Sequence, residues 1–214
     1  MKYSGMARFM WPIYRRSFAS ALTNVLGYNR KSADRIMRCA MDRYQSIIGK
    51  LPEFEKDDIF KNNILSCSML IAVLQSLDKR PALQDTTEYY KQAMTNAATK
   101  VFCSMAAKQK FKDRDIKKMK ETAALRSADR NPYSWNMDYL PYEDGSGYEA
   151  RFYKCGICTL MKEYGYSDLV PAMCALDYTM SDMGGATVFV RENTLASGGP
   201  YCDCGYKMKD KRKV

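Results

Sequence analysis

The hydrophobic pattern of the chain changes period once, near Asn131-Pro132, and that change limits the folds open to it. Before it, apolar residues recur at helical spacing. Ser32 to Gly49, with Ser32 as candidate N-cap, sets Ile36, Cys39, Ala40, Tyr44, Ile47 and Ile48 on one stripe. The pattern repeats over Asp57 to Leu77, Thr86 to Lys108 and Asp113 to Ser127. Cys39, Cys67 and Cys103 fall on or beside these stripes and read as buried, inert thiols. Asn131 to Gly147 carries Pro132, Pro141, Gly145 and Gly147 without any period, and reads as an irregular linker. Beyond it, Tyr148 to Lys154 alternates as a strand, Cys155 to Tyr164 and Asp168 to Met183 read as helices, and Ala186 to Glu192 and Tyr201 to Met208 read as strands. The expected class is α+β. A helical region (1–130) and linker (131–147) precede a β-α-α-β-β region (148–208), whose small, mainly antiparallel sheet carries helices on one face. A basic tail (209–214) follows.

Composition narrows the chemistry. Among 214 residues there is no histidine, so a Ser-His-Asp or Cys-His pair within the chain is excluded, as is a His-ligated metal or haem. A general base must be a carboxylate, lysine, tyrosine or thiolate. Of the net charge of +10, much sits at the C-terminus, where Lys207, Lys209, Lys211, Arg212 and Lys213 face the single acid Asp210. This reads as a solvated end. The remaining excess is too diffuse for a nucleic-acid partner. The N-terminus lacks the apolar run of a signal peptide, and the longest apolar stretch, Ile64 to Leu77, is broken by Ser66, Ser68, Gln75 and Ser76. The expectation is a cytoplasmic protein without a membrane partner, its eight cysteines reduced. Fifteen methionines and sixteen tyrosines are compatible with a homo-oligomer.

Five of the eight cysteines lie in the last sixty residues. Cys155 stands where a strand hands over to a helix, and unpaired N–H groups there, with Lys154 adjacent, favour a thiolate. Cys174 and Asp177 are three apart on one expected helix, and Asp177 sits among Ala175, Leu176 and Tyr178, where a carboxyl becomes tunable. On the last strand Cys202 and Cys204 share a face and Asp203 takes the other. The preceding Gly198-Gly199 turn can offer N–H donors to a developing negative charge, or simply close a hairpin. Cys155-x-x-Cys158 with Cys202-x-Cys204 also makes enough thiols for a structural zinc site, a competing reading.

These residues carry a resemblance. Phe152-Tyr153-Lys154-Cys155, Gly165, Met173-Cys174-Ala175-Leu176-Asp177, the Thr194-Leu195-x-x-Gly-Gly turn and Cys202-Asp203 together resemble the L-2-amino-thiazoline-4-carboxylic acid hydrolase family over roughly residues 148 to 208. Cys204 stands where the family usually has an aromatic, and Gly156 where it often has proline. The resemblance implies cofactor-free hydrolytic opening of a small cyclic isothiourea to an S-carbamoyl-cysteine-type product. In that reading a thiolate (Cys155 or Cys202) attacks the amidine-like carbon while Asp177 moves protons, or Asp177 activates water and the cysteines shape the pocket. Cys174 joins the site, and Arg151, Lys154, Gly198, Gly199 and Asp203 hold the substrate. The alternative is a non-catalytic sensor of the same fold that binds a small molecule or zinc.

Overall fold

From Ile64 to Leu74 every residue is buried, because this helix is apolar on all sides and the others in its unit pack around it. It belongs to a computed structural model that describes residues 9–55 and 58–209. In chain order the elements are α1 (Met10–Asn24), α2 (Arg30–Lys50), α3 (Lys61–Leu74), α4 (Leu83–Met94), α5 (Ala97–Ala107), α6 (Asp113–Ser127), β1 (Asn136–Pro141), β2 (Gly147–Lys154), α7 (Gly156–Glu163), α8 (Val170–Cys174), α9 (Leu176–Gly184), β3 (Thr187–Val190) and β4 (Cys202–Met208). They divide into two compact units that interleave along the chain. One comprises Met1–Asn96 with Gly156–Ala175, the other Ala97–Cys155 with Leu176–Val214. The class is α+β, with helices first and the sheet later. Asp57, given above as a helix start, and the tail beyond Lys209 lie outside the described residues. No described helix is long and apolar enough to cross a membrane.

In the first unit α3 packs against α2 and α7, and α1 against α2 and α4. The serines that break the apolar run cost little, because their hydroxyls return to the helix backbone: Ser66 donates to Asn63 O (3.0 Å) and Ser68 to Ile64 O (2.8 Å). Tyr89 and Tyr90 both stand edge-on to Phe18, with centroids 5.8 and 6.4 Å away. The cap of α2 is Asn29, whose carbonyl oxygen accepts from Ser32 N at 2.9 Å, so Ser32 is the third residue of the helix rather than its cap. Cys39 corrects another expectation. It is exposed, one step off the buried line of Ile36 and Ala40.

The single helix expected over Thr86 to Lys108 is two. Thr95 leaves helical geometry and the Asn96 amide donates to Ile13 O at 3.2 Å, which ends α4 before α5 begins. A second break at Ala175 divides the helix expected over Asp168 to Met183 into a short 3-10 turn, α8 and α9.

In the second unit an antiparallel sheet runs in the order β1-β2-β4-β3. Part of the stretch read as an irregular linker is in fact β1. Met137 and Tyr139 alternate inward opposite Phe152 and Ala150, while Pro141 ends the strand and Gly145, at φ +68°, turns the hairpin. The registers align Met137, Phe152 and Cys202 in one row, Tyr139, Ala150 and Cys204 in the next, and Tyr148, Tyr206 and Phe189 in a third. α6 packs on β1, and α9 on β3 and α5. Truncating the centre of α3 with Leu70→Ala removes a side chain with no exposed surface. The expected cost is about 2–5 kcal/mol, read as a lower urea midpoint at unchanged slope.

Candidate active site

Strand alternation builds the site from below. Along β4 the Cys202, Cys204 and Tyr206 side chains share the row-forming face, which leaves Asp203 on the other. The Cys202 sulfur accepts a hydrogen bond from Leu195 N at 3.2 Å. That donor is supplied by a turn that Thr194 organises: its Oγ1 accepts from Ser197 N (3.0 Å) and its carbonyl from Gly199 N (2.9 Å). Gly198 takes the left-handed conformation there (φ +83°), and a Cβ on Gly199 would lie 2.9 Å from Thr194 O. The Gly199 N–H is thus spent inside the turn, and the backbone donor aimed at a thiol comes from Leu195.

Asp177 lies in the first turn of α9 and accepts from Arg191 Nη1 at 2.7 Å. The Arg191 side chain is only 7% exposed, whereas that of Asp177 is 45% exposed, opening into a cleft. Arg191 lies 5.3 Å from the ring centroids of both Tyr178 and Phe189, and it also hydrogen-bonds the Cys204 thiol. Burial raises the proton affinity of Asp177, and Arg191 pulls it back. Cys202 is likewise pushed up by burial, with the Leu195 N–H opposing. The nearby Cys155 and Asp177 raise it further, and Arg191 lowers it. Cys204 is raised strongly by burial and then by Asp177, so it stays a thiol.

The cleft has a volume of about 180 Å3 and lies within the second unit, between α5, α9 and β4. Phe102, Cys103 and Met180 give it apolar walls, and Asp177, Lys110 and Tyr206 give it polar ones. Lys110 Nζ donates to the Tyr148 hydroxyl (2.5 Å), which donates in turn to Asp115 Oδ2 (3.2 Å), and it sits 4.0 Å from the Tyr206 ring centroid. Burial lowers its proton affinity, while Asp115 raises it. Lys110 is placed by Phe111, a non-glycine residue at φ +64° whose N–H donates to Asp115 (2.9 Å).

Of the residues singled out in the sequence, Cys155, Asp177 and Cys202 belong to the second unit and interact electrostatically through Cys202. Cys174 ends α8 in the first unit. Arg151 pairs with Glu149 (2.6 Å) and lies over the Tyr201 ring, opposite Asp203 on the sheet face away from Cys202. Lys154 donates to the carbonyls of Asp129 (2.9 Å) and Asn131 (2.8 Å), holding the loop before β1. Asp203 accepts from the backbone N–H groups of Glu192 (3.1 Å) and Asn193 (2.7 Å), anchoring the chain just after Arg191. Among the described residues no three His, Cys, Asp or Glu side chains gather as metal ligands, so the four thiols of the zinc reading do not form its site.

Lys110 and Arg191 were not marked by any sequence signal. One sits in a run of alternating lysines and the other at a strand end beside Glu192.

The family model described as L-2-amino-thiazoline-4-carboxylic acid hydrolase matches residues 62–206, well over half of the chain, and the chain belongs to that family. The match reaches back into α3 and spans the whole cleft, Lys110 included, beyond the C-terminal residues that first carried the likeness. No curated protein and no solved structure matches the chain. Burial orders the thiols by reactivity. Iodoacetamide on the folded protein should modify exposed Cys39 at least a hundredfold faster than Cys204 or Cys67, as read by peptide mass spectrometry; equal rates would contradict the packing of β4.

Proposed function

We propose that the chain hydrolyses a small cyclic isothiourea such as L-2-amino-thiazoline-4-carboxylate, bound in the cleft between α5, α9 and β4. The observation that carries this reading is the pairing of one carboxylate, Asp177, with one ammonium, Lys110, on the walls of a single cleft of about 180 Å3. The substrate is a small zwitterion whose amidine-like group complements Asp177 and whose carboxylate complements Lys110. Lys110 takes the part expected of Arg151 or Lys154, because it lines the cleft and neither of those does.

With no histidine in the chain, Asp177 moves the protons. It accepts one from water as the oxygen bonds to the ring carbon that carries sulfur and two nitrogens. It then returns that proton to the ring nitrogen as the carbon–nitrogen bond breaks, and the remaining hydroxyl proton passes to the freed amine as the carbonyl forms. The ring sulfur stays on the carbon, and the product is an S-carbamoyl-cysteine-type molecule one water heavier. Its raised proton affinity suits Asp177 to both transfers, and Arg191 holds it in place. Cys202, raised by burial, acts as a thiol that shapes the Asp177–Arg191 site together with Cys155. The reaction needs no partner besides the substrate, and eight free cysteines suit a reducing, cytoplasmic setting.

The test is mass spectrometry of the purified, reduced protein with L-2-amino-thiazoline-4-carboxylate. Turnover should fall about 10²–10⁴-fold in Asp177→Asn. Lys110→Ala should chiefly raise KM. Cys202→Ala should retain at least a tenth of the activity, and a loss there as deep as in Asp177→Asn would move the first step to a thiolate. Binding without turnover would favour the sensor.

A pH profile adds a second check. Activity should rise with pH through the Asp177 titration, which burial places above the ordinary carboxylate range. Arg191→Leu removes the charge that pulls Asp177 down, so this acid limb should move to higher pH. An unmoved limb would take the base role away from Asp177.

A further inference from the structure

A second cleft, of about 270 Å3, opens in the first unit between α1 and α2. All of its lining residues precede position 62, where the family match begins, and the hydrolase reading uses none of them. Trp11, Arg15 and Arg16 come from α1, and Met37, Arg38 and Met41 from α2, while Ala19 is small enough to leave the space between the helices open. Asp34 is the one acid in the lining. The Trp11 indole is held by stacking on Tyr44, with centroids 5.3 Å apart and planes 29° from parallel.

Three guanidiniums here face one carboxylate, and among the described residues Arg15, Arg16 and Arg38 form no ion pair. Nearby Arg35 is different, because it pairs with Asp78. All three are solvent-exposed, and their donor forks, engaged by no carboxylate, have the geometry that matches phosphate oxygens two at a time. Beside them lie a fixed indole and two methionines, a surface suited to a flat ring. From Trp11 to Ala19 the cleft runs for roughly 12 Å at a helical rise of 1.5 Å per residue. Both that length and the volume fit a single small molecule rather than an extended polymer.

We infer that this cleft binds a small phosphorylated molecule with a flat ring, of nucleotide size. The phosphate lies among Arg15, Arg16 and Arg38, the ring lies against Trp11, and Asp34 accepts from a hydroxyl or amine of the ligand. This assignment is independent of the hydrolase reading, because it uses other residues in the other unit.

Tryptophan emission tests it in the full chain. There are only two tryptophans, and Trp135 is buried, so Trp11 reports on the cleft. AMP should quench emission saturably, at least tenfold more tightly than adenosine or inorganic phosphate, and the affinity should fall as salt rises. The double variant Arg15→Ala/Arg38→Ala, confirmed folded by circular dichroism, should bind AMP at least tenfold more weakly in equilibrium dialysis. Trp11→Phe should lose the fluorescence response. No saturable AMP binding up to roughly 10 mM would overturn the assignment. Unchanged dialysis affinity in the double variant would also overturn it, as would equal binding of phosphate and AMP.

Discussion

The second unit is organised around a buried guanidinium. Arg191 brings a permanent charge to a place where its side chain is nearly sealed from water, and that charge must be met. Asp177 meets it from α9 at 2.7 Å, the Cys204 thiol meets it from β4, and the rings of Tyr178 and Phe189 lie within cation–π range. Helix and strand are thereby tied at one point, with the carboxylate on the side that opens to the cleft. Because Asp177 is half open to solvent, the pair does less for stability than its distance suggests. Its stronger effect is positional: the guanidinium fixes the Asp177 carboxyl in orientation on the side that faces the cleft.

The two faces of the sheet divide the labour. Cys202, Cys204 and Tyr206 line the side where α9 and α5 pack, and there charge is scarce and each polar group is perturbed by burial. Arg151, Glu149 and Asp203 occupy the other side, where ion pairs and turn hydrogen bonds fix the strand ends. Asp203 serves the first face from the second. By accepting from the N–H groups of Glu192 and Asn193 it sets the exit of the chain from β3, and therefore the reach of Arg191. The neighbouring Cys202 and Asp203 thus act through quite different contacts.

What the sequence made legible follows the same division. Period-two alternation in β4 is a local property, so the sharing of one face by Cys202 and Cys204 and the placement of Asp203 on the other could be read from spacing alone, while which face turns inward is set by the fold. Asp177 was legible because a carboxylate among apolar neighbours is an exception that needs a reason. Lys110 and Arg191 were not, since long basic side chains usually end in water and only the fold shows which of them turn inward. The strand β1 was hidden by its own punctuation, with Pro141 at its end and Gly145 and Gly147 in the hairpin that follows. The helix breaks at Asn96 and Ala175 coincide with the unit boundaries, and no local propensity signals a change of packing partner.

Burial moves the two charged walls of the cleft in opposite senses. It raises the proton affinity of Asp177 and lowers that of Lys110, so desolvation pushes both towards their neutral forms. In the proposed function a bound zwitterion would place an amidinium against the first and a carboxylate against the second, favouring the charged form of both at once. A ligand with a single charge would engage one wall and leave the other with only its internal partner, Arg191 for Asp177 or the Tyr148 hydroxyl for Lys110. On that proposal, selectivity for a small molecule carrying both signs would need no dedicated recognition loop. It follows from putting one carboxylate and one ammonium into the same cleft of about 180 Å3, too small to leave either of them fully hydrated once the ligand has entered.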